Sequence, residues 1–280
     1  MREVNVQKCD LCGGADPETF ATKHSLNYLR CKNCGLVYSD PEHFDFKAYN
    51  EEMNEDLHET HVSKLASPRY ARTYAKLLQG FEPYRREGRF LEVGCSTGSF
   101  LKYVKDAGWQ EIGVEPVASS AQFGLEQLNL NIHIGTLETA EIPAASVDVV
   151  YSNAVIEHLK NPSEVVQQAF DVLRPGGLFY ADTVNVDSYT WRFLNTRWKL
   201  VDPRMHLTLF TPDTLSAYCR RAGFEVKKMT THGVRFNATR EDRPRGIFRL
   251  ADELRKAPYS WAARRTLKGD NIAVYAEKPG

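Results

Sequence analysis

Residues 89–100 constrain the fold of this 280-residue chain more than any other segment. An apolar run at 90–93, typical of a buried strand, leads into a loop that contains Gly94 and Gly98, and a helix is predicted at 99–107. Glycines in such a loop allow the backbone to approach a ligand closely, and the first turn of the following helix offers free amide groups. The segment therefore predicts a ligand-binding strand–loop–helix unit.

An acidic residue follows this unit at a distance that suits a nucleotide ligand. A second predicted strand, residues 111–114, leads to Glu115, which lies 17 residues after Gly98. A carboxylate in this place can accept hydrogen bonds from both hydroxyl groups of a bound ribose. NAD-dependent enzymes use a similar loop, so the loop alone does not identify the ligand. The loop and the spaced acid together favour a nucleotide cofactor.

Predicted strands and helices alternate along the rest of the chain. The pair Ser67-Pro68 is typical of a helix N-terminus, and this helix is expected to cover one edge of the sheet and to end at Gly80. Further helices are predicted at 117–128, 162–173 and 212–222, and further strands at 131–134, 146–152, 178–183, 224–230 and 271–277. The sequence Arg-Pro-Gly-Gly at 174–177 predicts a tight turn. This alternation predicts an α/β fold with a mostly parallel, doubly wound sheet.

Four cysteines near the N-terminus form two Cys-x-x-Cys pairs, each followed by glycine: Cys9, Cys12, Cys31 and Cys34. The two-residue spacer lets both thiolates of a pair face one ion, and the glycine relieves crowding where the backbone turns toward the sulfur atoms. Two such pairs complete a tetrahedral, closed site that favours structural zinc, although iron is chemically possible. We therefore predict a small zinc ribbon at 1–40, a linker at 41–66 and a catalytic domain at 67–280.

The charge balance argues against a nucleic-acid-binding chain. Lysine plus arginine and aspartate plus glutamate each total 36, and residues 1–40 carry five basic and five acidic side chains. A neutral ribbon is a poor phosphate-binding surface, so nucleic acid is not expected as a partner. The sequence has no apolar run that could span a bilayer and no signal-peptide core at its N-terminus, so we expect a cytoplasmic protein with reduced cysteines.

Five motifs follow one another along the sequence. They are Glu92-x-Gly94-x-Ser96-x-Gly98, the acid Glu115, Asp-Val-Val-Tyr-Ser-Asn at 148–153, Glu-His-Leu at 157–159 and Leu-Arg-Pro-Gly-Gly at 173–177. Together they resemble the class I S-adenosylmethionine-dependent methyltransferases, in particular the branch that acts on small molecules, over about residues 65–278. The resemblance implies a Rossmann-like, seven-stranded methyltransferase sheet and S-adenosylmethionine as the methyl donor.

The resemblance also implies a set of cofactor-binding residues. Those expected to hold the methionine part are Glu92, Gly94, Cys95 and Gly98, and the ribose is expected at Glu115. Those expected to flank the adenine are Pro116, Thr136 and Leu137, and Asn153 is expected near the reacting methyl group. Two positions depart from the family pattern, because Ser96 stands where a third glycine is usual and Thr136 where aspartate is common. Cys95 is interpreted as a small residue that fits the loop and not as a nucleophile.

Two segments beyond the strand at 178–183 are expected to shape the methyl-acceptor site. Residues 185–206, an acceptor cap, contain aromatic side chains that are predicted to line a pocket or to form the core of the cap: Tyr189, Trp191, Phe193 and Trp198. Residues 235–268 are a basic insertion with ten basic and four acidic side chains. This insertion fits a solvated cap, contact with a phosphorylated acceptor or contact with a membrane surface. A compact anionic small molecule is the predicted acceptor.

Methyl transfer to a hydroxyl group benefits from a general base, most often histidine. His206 and His158 are the first candidates for this role, and Glu157 is the third. Each also has a structural interpretation, since Glu157 can cap the loop that follows it and His206 can hydrogen-bond to the backbone.

The predicted function is methyl transfer to a small molecule such as a sugar, a nucleotide-sugar or a secondary metabolite. An RNA methyltransferase that docks RNA on the ribbon is an alternative, but the ribbon is neutral, and Ser-Asn-Ala-Val at 152–155 replaces the motif of base-amino methylases. A non-catalytic cofactor-binding scaffold is a second alternative, against which Gly94, Gly98 and Glu115 are intact. An NAD-binding oxidoreductase is the remaining alternative.

Overall fold

The N-terminal cysteines lie in a short antiparallel unit. The computed structural model describes residues 8–39, 63, 65, 67–238 and 247–280, so all of the predicted linker at 41–66 except residues 63 and 65 lies outside the described residues. Three strands follow the first cysteine pair: β1 (Pro17–Lys23), β2 (Leu26–Cys31) and β3 (Val37–Ser39). β2 pairs antiparallel with both β1 and β3, so the second cysteine pair lies at the turn that joins β2 to β3.

A seven-stranded sheet forms the centre of the rest of the chain. The remaining strands are β4 (Arg89–Val93), β5 (Gln110–Glu115), β6 (Ile132–Ile134), β7 (Val147–Asn153), β8 (Leu173–Val184), β9 (Thr208–Leu209), β10 (Glu225–His232) and β11 (Asn271–Glu277). All of these except β9 belong to the sheet, in the spatial order β10-β11-β8-β7-β4-β5-β6. The strands from β6 to β8 in this order are parallel, and β11 is antiparallel to both of its neighbours. The predicted Rossmann-like, seven-stranded sheet is confirmed.

Helices pack on both faces of this sheet. They are α1 (Pro68–Phe81), α2 (Ser99–Asp106), α3 (Ala118–Leu128), α4 (Pro162–Val172), α5 (Tyr189–Leu194), α6 (Pro212–Arg221) and α7 (Ile247–Thr266). α1 and α2 pack on β4 through an aromatic cluster that includes Phe81, Phe90 and Phe100. Within the described residues, none of the helices is both long and apolar enough to cross a membrane.

The strand β8 begins earlier than the sequence predicts. A turn was expected at 174–177, with the strand starting at 178, but Leu173 already pairs with Val147 on β7. The next pair joins Leu178 to Val149, so the Arg-Pro-Gly-Gly segment forms a bulge within β8 and not a separate turn. The physical reason is the side chain of Arg174, which is held against β7 by a buried carboxylate.

That carboxylate belongs to Asp148, whose side chain is fully buried on β7. One of its oxygens accepts hydrogen bonds from the four consecutive backbone amides of residues 86–89, at 2.6–3.2 Å, and the other accepts from Arg174. Burial alone would raise the pKa of Asp148, but Arg174 and the amides hold this pKa below its usual value. Asp148 thus joins the start of β4, the middle of the sheet and the start of β8.

The N-terminal strands pack against the rest of the chain. β3 pairs antiparallel with β9, so the ribbon sheet, in the order β1-β2-β3-β9, includes a strand that is distant from the ribbon in sequence. The carboxylate of Asp10 accepts hydrogen bonds from the amide of Ser163 at 3.0 Å and from the hydroxyl of Tyr218 at 2.9 Å. The buried hydroxyl of Tyr28 donates to the backbone carbonyl of His206 at 2.7 Å. The ribbon sheet is therefore complete only when β9 is in place.

Candidate cofactor and acceptor site

The loop after β4 has a geometry that requires glycine at two positions. Gly94 has a φ of +72° and Gly98 a φ of +76°, in the left-handed region that side chains disfavour. A Cβ atom at Gly94 would collide with Val155, and one at Gly98 would collide with Leu130. Gly98 is also the residue that precedes α2, so the loop delivers the backbone directly to a helix N-terminus.

Ser96 and Glu115 link this loop to the end of β5. Ser96 has a φ of +50°, a conformation that explains why glycine is usual at this position in the family the sequence resembles. Its backbone amide donates to Glu115 Oε2 at 2.8 Å, and the amide of Val117 donates to Glu115 Oε1 at 2.9 Å. Burial raises the pKa of Glu115, and these two amides oppose the rise. The carboxylate is therefore held in a fixed orientation beside the glycine loop.

The other predicted cofactor-binding residues lie along the same edge of the sheet, at the carboxyl ends of four neighbouring parallel strands. The buried ones are Glu92, Cys95 and Leu137, and the exposed ones are Pro116, Thr136 and Asn153. Burial, with further contributions from the charges of Glu92 and Glu115, raises the pKa of the Cys95 thiol. This keeps the thiol protonated and agrees with its interpretation as a packing residue.

A cavity of about 900 Å³ lies between α1 and the sheet face formed by β7, β8, β10 and β11. Its aromatic lining comes from Tyr70, Tyr74, Tyr84, Tyr151, Tyr180 and Tyr275, and its basic lining from Lys76, Lys227, Lys228 and His232. Asn153 also lines the cavity, so the predicted reacting end of the cofactor site and the cavity share a wall. Volume and lining suit one small organic molecule.

Asp182 and His232 face this cavity and were missed in the sequence analysis. Asp182 Oδ1 accepts a hydrogen bond from Asn271 Nδ2 at 3.1 Å, and Oδ2 lies 3.7 Å from His232 Nδ1. Burial raises the pKa of Asp182 to about 6, so its carboxylate can accept a proton near neutral pH. The signal that could have found it is an acid inside the otherwise apolar run at 178–184. His232 was not predicted to lie on the sheet because β10 extends two residues beyond the predicted strand at 224–230.

The structure brings the three predicted catalytic residues together. The rings of His158 and His206 meet edge to face with centroids 4.7 Å apart, and Glu157 completes the group. Burial raises the pKa of Glu157 to about 7, and burial with the neighbouring His158 lowers the pKa of His206 to about 3. None of the three lines the cavity beside α1, although Glu157 follows Asn153 by only four residues.

The aromatic side chains of residues 189–198 pack in the cap and against the ribbon. Trp198 is fully buried in a cluster with Tyr28, and Trp191 stacks on Phe20 of β1 with centroids 4.9 Å apart. Phe193 packs edge to face against Tyr259 of α7, with ring centroids 5.2 Å apart. These contacts agree with the interpretation of the aromatic side chains as the core of the cap. None of the four predicted aromatic residues lines the cavity beside α1.

Nearby acids offset several charges of the basic insertion at 235–268. Arg235 lies 3.1 Å from Asp270, and Lys256 pairs with Asp252 on α7. Lys268 pairs with Asp187 of the cap. Residues 239–246 of the insertion lie outside the described residues. The contacts favour a solvated cap over a phosphate-binding surface.

The four ribbon cysteines converge on one point. The sulfur atoms of Cys9 and Cys34 are 3.5 Å apart, as are those of Cys12 and Cys31, and all four lie within 4.8 Å of one another. Gly13 and Gly35, at φ of +73° and +76°, donate equivalent hydrogen bonds to the carbonyls of the first cysteine of each pair. Burial alone would raise the pKa of Cys31, but amides of the following residues outweigh it and lower this pKa to about 7.

This chain is similar to known proteins. The model of a family described as "Methyltransferase domain" matches residues 64–228, which is more than half of the chain. The chain belongs to this methyltransferase-domain family. A crystal structure of an S-adenosylmethionine-dependent methyltransferase from Archaeoglobus fulgidus superposes with a TM-score of 0.52 at 21% identity, covering 74% of this chain and 94% of the other. At that identity the likeness concerns the fold.

Sequence relatives share the same region. A protein of Mycolicibacterium smegmatis named "Probable S-adenosylmethionine-dependent methyltransferase" is 38% identical over 146 residues, 51% of this chain and 55% of its own length. A malonyl-[acyl-carrier protein] O-methyltransferase of Enterobacter lignolyticus is 26% identical over a region that makes up 50% of this chain and 55% of the relative. A tRNA U34 carboxymethyltransferase of Syntrophotalea carbinolica is 31% identical over a region that makes up 49% of this chain and 44% of the relative. The chain thus spans about half the length of these curated relatives.

Proposed function

We propose that this chain transfers a methyl group from S-adenosylmethionine to a small-molecule acceptor. The observation that carries the proposal is that the glycine loop and the Glu115 carboxylate lie at the same edge of the sheet as Asn153, where the cavity beside α1 opens toward them. Family membership and the names of the relatives add independent support for this methyl donor.

The predicted roles of the cofactor-binding residues become part of the proposal. The loop from Glu92 to Gly98 would hold the methionine part, because the backbone there is free of side chains at Gly94 and Gly98. Glu115 would accept hydrogen bonds from the ribose, since each of its oxygens keeps a further acceptor position besides the amide that it already binds. Pro116, Thr136 and Leu137 would flank the adenine, and Asn153 would face the methyl group.

The acceptor would occupy the cavity beside α1. Its tyrosine-rich wall suits a compact ring, and Lys76 and Lys228 at its lining favour an anion. Bound S-adenosylmethionine would supply the methyl group and would leave as S-adenosylhomocysteine, while the residues of this chain would orient the acceptor and a base would take its proton. Such positioning is worth up to several kcal/mol. Asp182 lies in the cavity as a candidate base, and the predicted role of Glu157, His158 and His206 stays a prediction.

Incorporation of a labelled methyl group tests this function. The full chain, with labelled S-adenosylmethionine, is offered nucleotide-sugars, phosphorylated sugars and carboxylic acids in one panel and bulk tRNA in another. We expect labelling of a small anionic molecule and a loss of about 10²–10⁴-fold in turnover in Asp182→Asn if Asp182 is the base. Labelling of tRNA with steeply salt-dependent binding would overturn the small-molecule proposal. Cofactor binding without turnover on any acceptor would favour the scaffold alternative.

We further propose that Cys9, Cys12, Cys31 and Cys34 hold one structural zinc ion. The sulfur atoms of Cys9 and Cys34 are 3.5 Å apart, as are those of Cys12 and Cys31. This distance is close to the about 3.8 Å between two ligands of a tetrahedral site with zinc–sulfur bonds of about 2.3 Å. Elemental analysis of protein purified without chelator should find zinc, and Cys31→Ser should remove it and unfold the ribbon. Finding no metal in the purified wild-type protein would refute this assignment.

A further inference from the structure

Glu157, His158 and His206 form a compact group outside both the cavity and the ribbon. One potential ligand atom from each side chain lies within 4.8 Å of the other two. Glu157 is 1% exposed and His206 is 5% exposed, so the group is an interior feature. Two of its members come from the 3-10 turn after β7 (Ile156–His158), and His206 comes from the segment before β9. Two distant parts of the chain therefore converge here.

Both imidazole rings are fixed in one tautomer by the backbone. His158 Nδ1 lies 2.7 Å from the carbonyl of Met205, and His206 Nδ1 lies against the carbonyl of Leu200. A carbonyl oxygen only accepts hydrogen bonds, so each Nδ1 carries the proton. Each neutral ring therefore keeps a lone pair on Nε2. A histidine that binds a metal through one nitrogen usually has its other nitrogen bonded in this way.

The carboxylate is oriented by a similar contact. The hydroxyl of Thr183, on β8, donates to Glu157 Oε2 at 2.8 Å and holds this oxygen in place. In the described part of the chain, the groups that act on the Glu157 carboxylate are backbone and the Thr183 hydroxyl, with no lysine or arginine among them. A buried carboxylate is costly without a nearby positive charge, and a bound cation would remove this cost.

We propose that Glu157, His158 and His206 bind one divalent transition-metal ion, with zinc preferred. Two imidazole nitrogens and one carboxylate oxygen are a donor set of zinc sites that keep a fourth position open. The hard ions Mg²⁺ and Ca²⁺ prefer oxygen donors, which this group supplies only once. The ribbon site differs in kind, because its four thiolates close the coordination sphere. Binding of the ion does not depend on the identity of the methyl acceptor.

Side-chain rotation completes the site. Zinc binds nitrogen and oxygen ligands at about 2.0–2.2 Å, which places two ligands of a tetrahedral site about 3.5 Å apart. The ligand atoms of the three side chains lie within 4.8 Å of one another, so binding of the ion requires only small side-chain rotations.

Zinc content after dialysis against zinc-buffered solution tests the proposal. The wild-type chain is compared with Glu157→Gln and His158→Gln, and with His133→Gln as a control on β6, at the far edge of the sheet. We expect the wild type and the control to retain one more zinc ion per chain than either cluster variant. Because the ribbon is unchanged in all four proteins, the difference reports the second site alone. Equal zinc content in all four would overturn the proposal.

A second measurement needs no variant and so holds even if a substitution prevents folding. Anomalous diffraction at the zinc absorption edge, from wild-type crystals grown with zinc, should give a peak within about 2.0–2.2 Å of a ligand atom of each of the three side chains. Density that shows instead a direct hydrogen bond between Glu157 and one of the rings, with no anomalous peak, would assign the group to a proton-sharing cluster and refute the metal site.

Discussion

The two sides of the proposed active site, a cofactor side and an acceptor side, are built in different ways. The cofactor side comes from residues 89–153, in which each strand, loop and helix follows the previous one along the chain. The acceptor side combines α1 with β8, β10 and β11. The ribbon packs elsewhere, beside the group of Glu157, His158 and His206, through contacts such as that of Tyr28 with the carbonyl of His206, 178 residues apart. Local contacts follow from sequence patterns, whereas such long-range contacts depend on how distant segments pack.

This difference has a functional consequence. Changes in the ribbon should alter stability while cofactor affinity stays constant, and changes near the glycine loop should lower cofactor affinity. Asp148 is the exception that joins the two sides, because it binds both the segment before β4 and Arg174 of β8.

Replacing Asp148 should therefore have the largest effect on stability. Asp148→Asn leaves the buried guanidinium of Arg174 without its charged partner, and breaking a buried pair in this way costs about 3–5 kcal/mol. Denaturant unfolding measures this cost, with Asp171→Asn on the exposed side of α4 as the matched control, expected within about 0.5 kcal/mol of wild type. A loss below about 1 kcal/mol for Asp148→Asn would contradict its place as the link.

The same pair predicts a pH dependence. The pKa of Asp148 is lower in the folded chain than in the unfolded chain, so its contribution to stability is fully present above the unfolded value of about 3.9. The contribution is lost as the pH falls through the lower folded value. Wild type should lose stability in this acid range more steeply than Asp148→Asn, as unfolding curves at a series of pH values would show.

Glu115→Ala comes next in size and tests the cofactor side. Loss of hydrogen bonds to a charged group should weaken binding of S-adenosylhomocysteine by about 1–3 kcal/mol. Isothermal titration calorimetry measures this, and Glu126→Ala, at an exposed acid on α3, should bind as the wild type does. Equal affinity of Glu115→Ala and wild type would show that Glu115 does not bind the ribose.

Tyr28→Phe has the smallest expected effect and tests the separation of the ribbon from the cofactor side. Removing the hydroxyl that donates to His206 should cost about 1 kcal/mol of stability and leave cofactor affinity unchanged. Tyr259→Phe, at a partly exposed ring on α7, serves as the control. A fall in cofactor affinity as large as that of Glu115→Ala would show that the ribbon and the cofactor side are not separable.

The loop geometry and the strand ends on the cofactor side could be predicted from the sequence for a physical reason. Gly94, Gly98 and Glu115 act through backbone geometry and strand ends, which short motifs encode directly. The convergence of the four ribbon cysteines was likewise predictable from their spacing.

The acceptor side was harder to predict because its residues meet only through packing. Asp182 and His232 share a cavity although 50 residues separate them, and no local pattern links them. The bulge in β8 depends on Arg174 finding Asp148 across the sheet, which the Pro-Gly-Gly sequence, typical of a turn, does not reveal. Pairing of β3 with β9 is also a contact between segments far apart in sequence.

Calorimetric titration of the wild-type chain with S-adenosylhomocysteine and with NAD tests the central claim most directly. The glycine loop and Glu115 are compatible with either nucleotide, so the direct comparison decides between them. We expect S-adenosylhomocysteine to bind at one molecule per chain and NAD to give no saturable heat. Saturable binding of NAD without binding of S-adenosylhomocysteine would contradict the account.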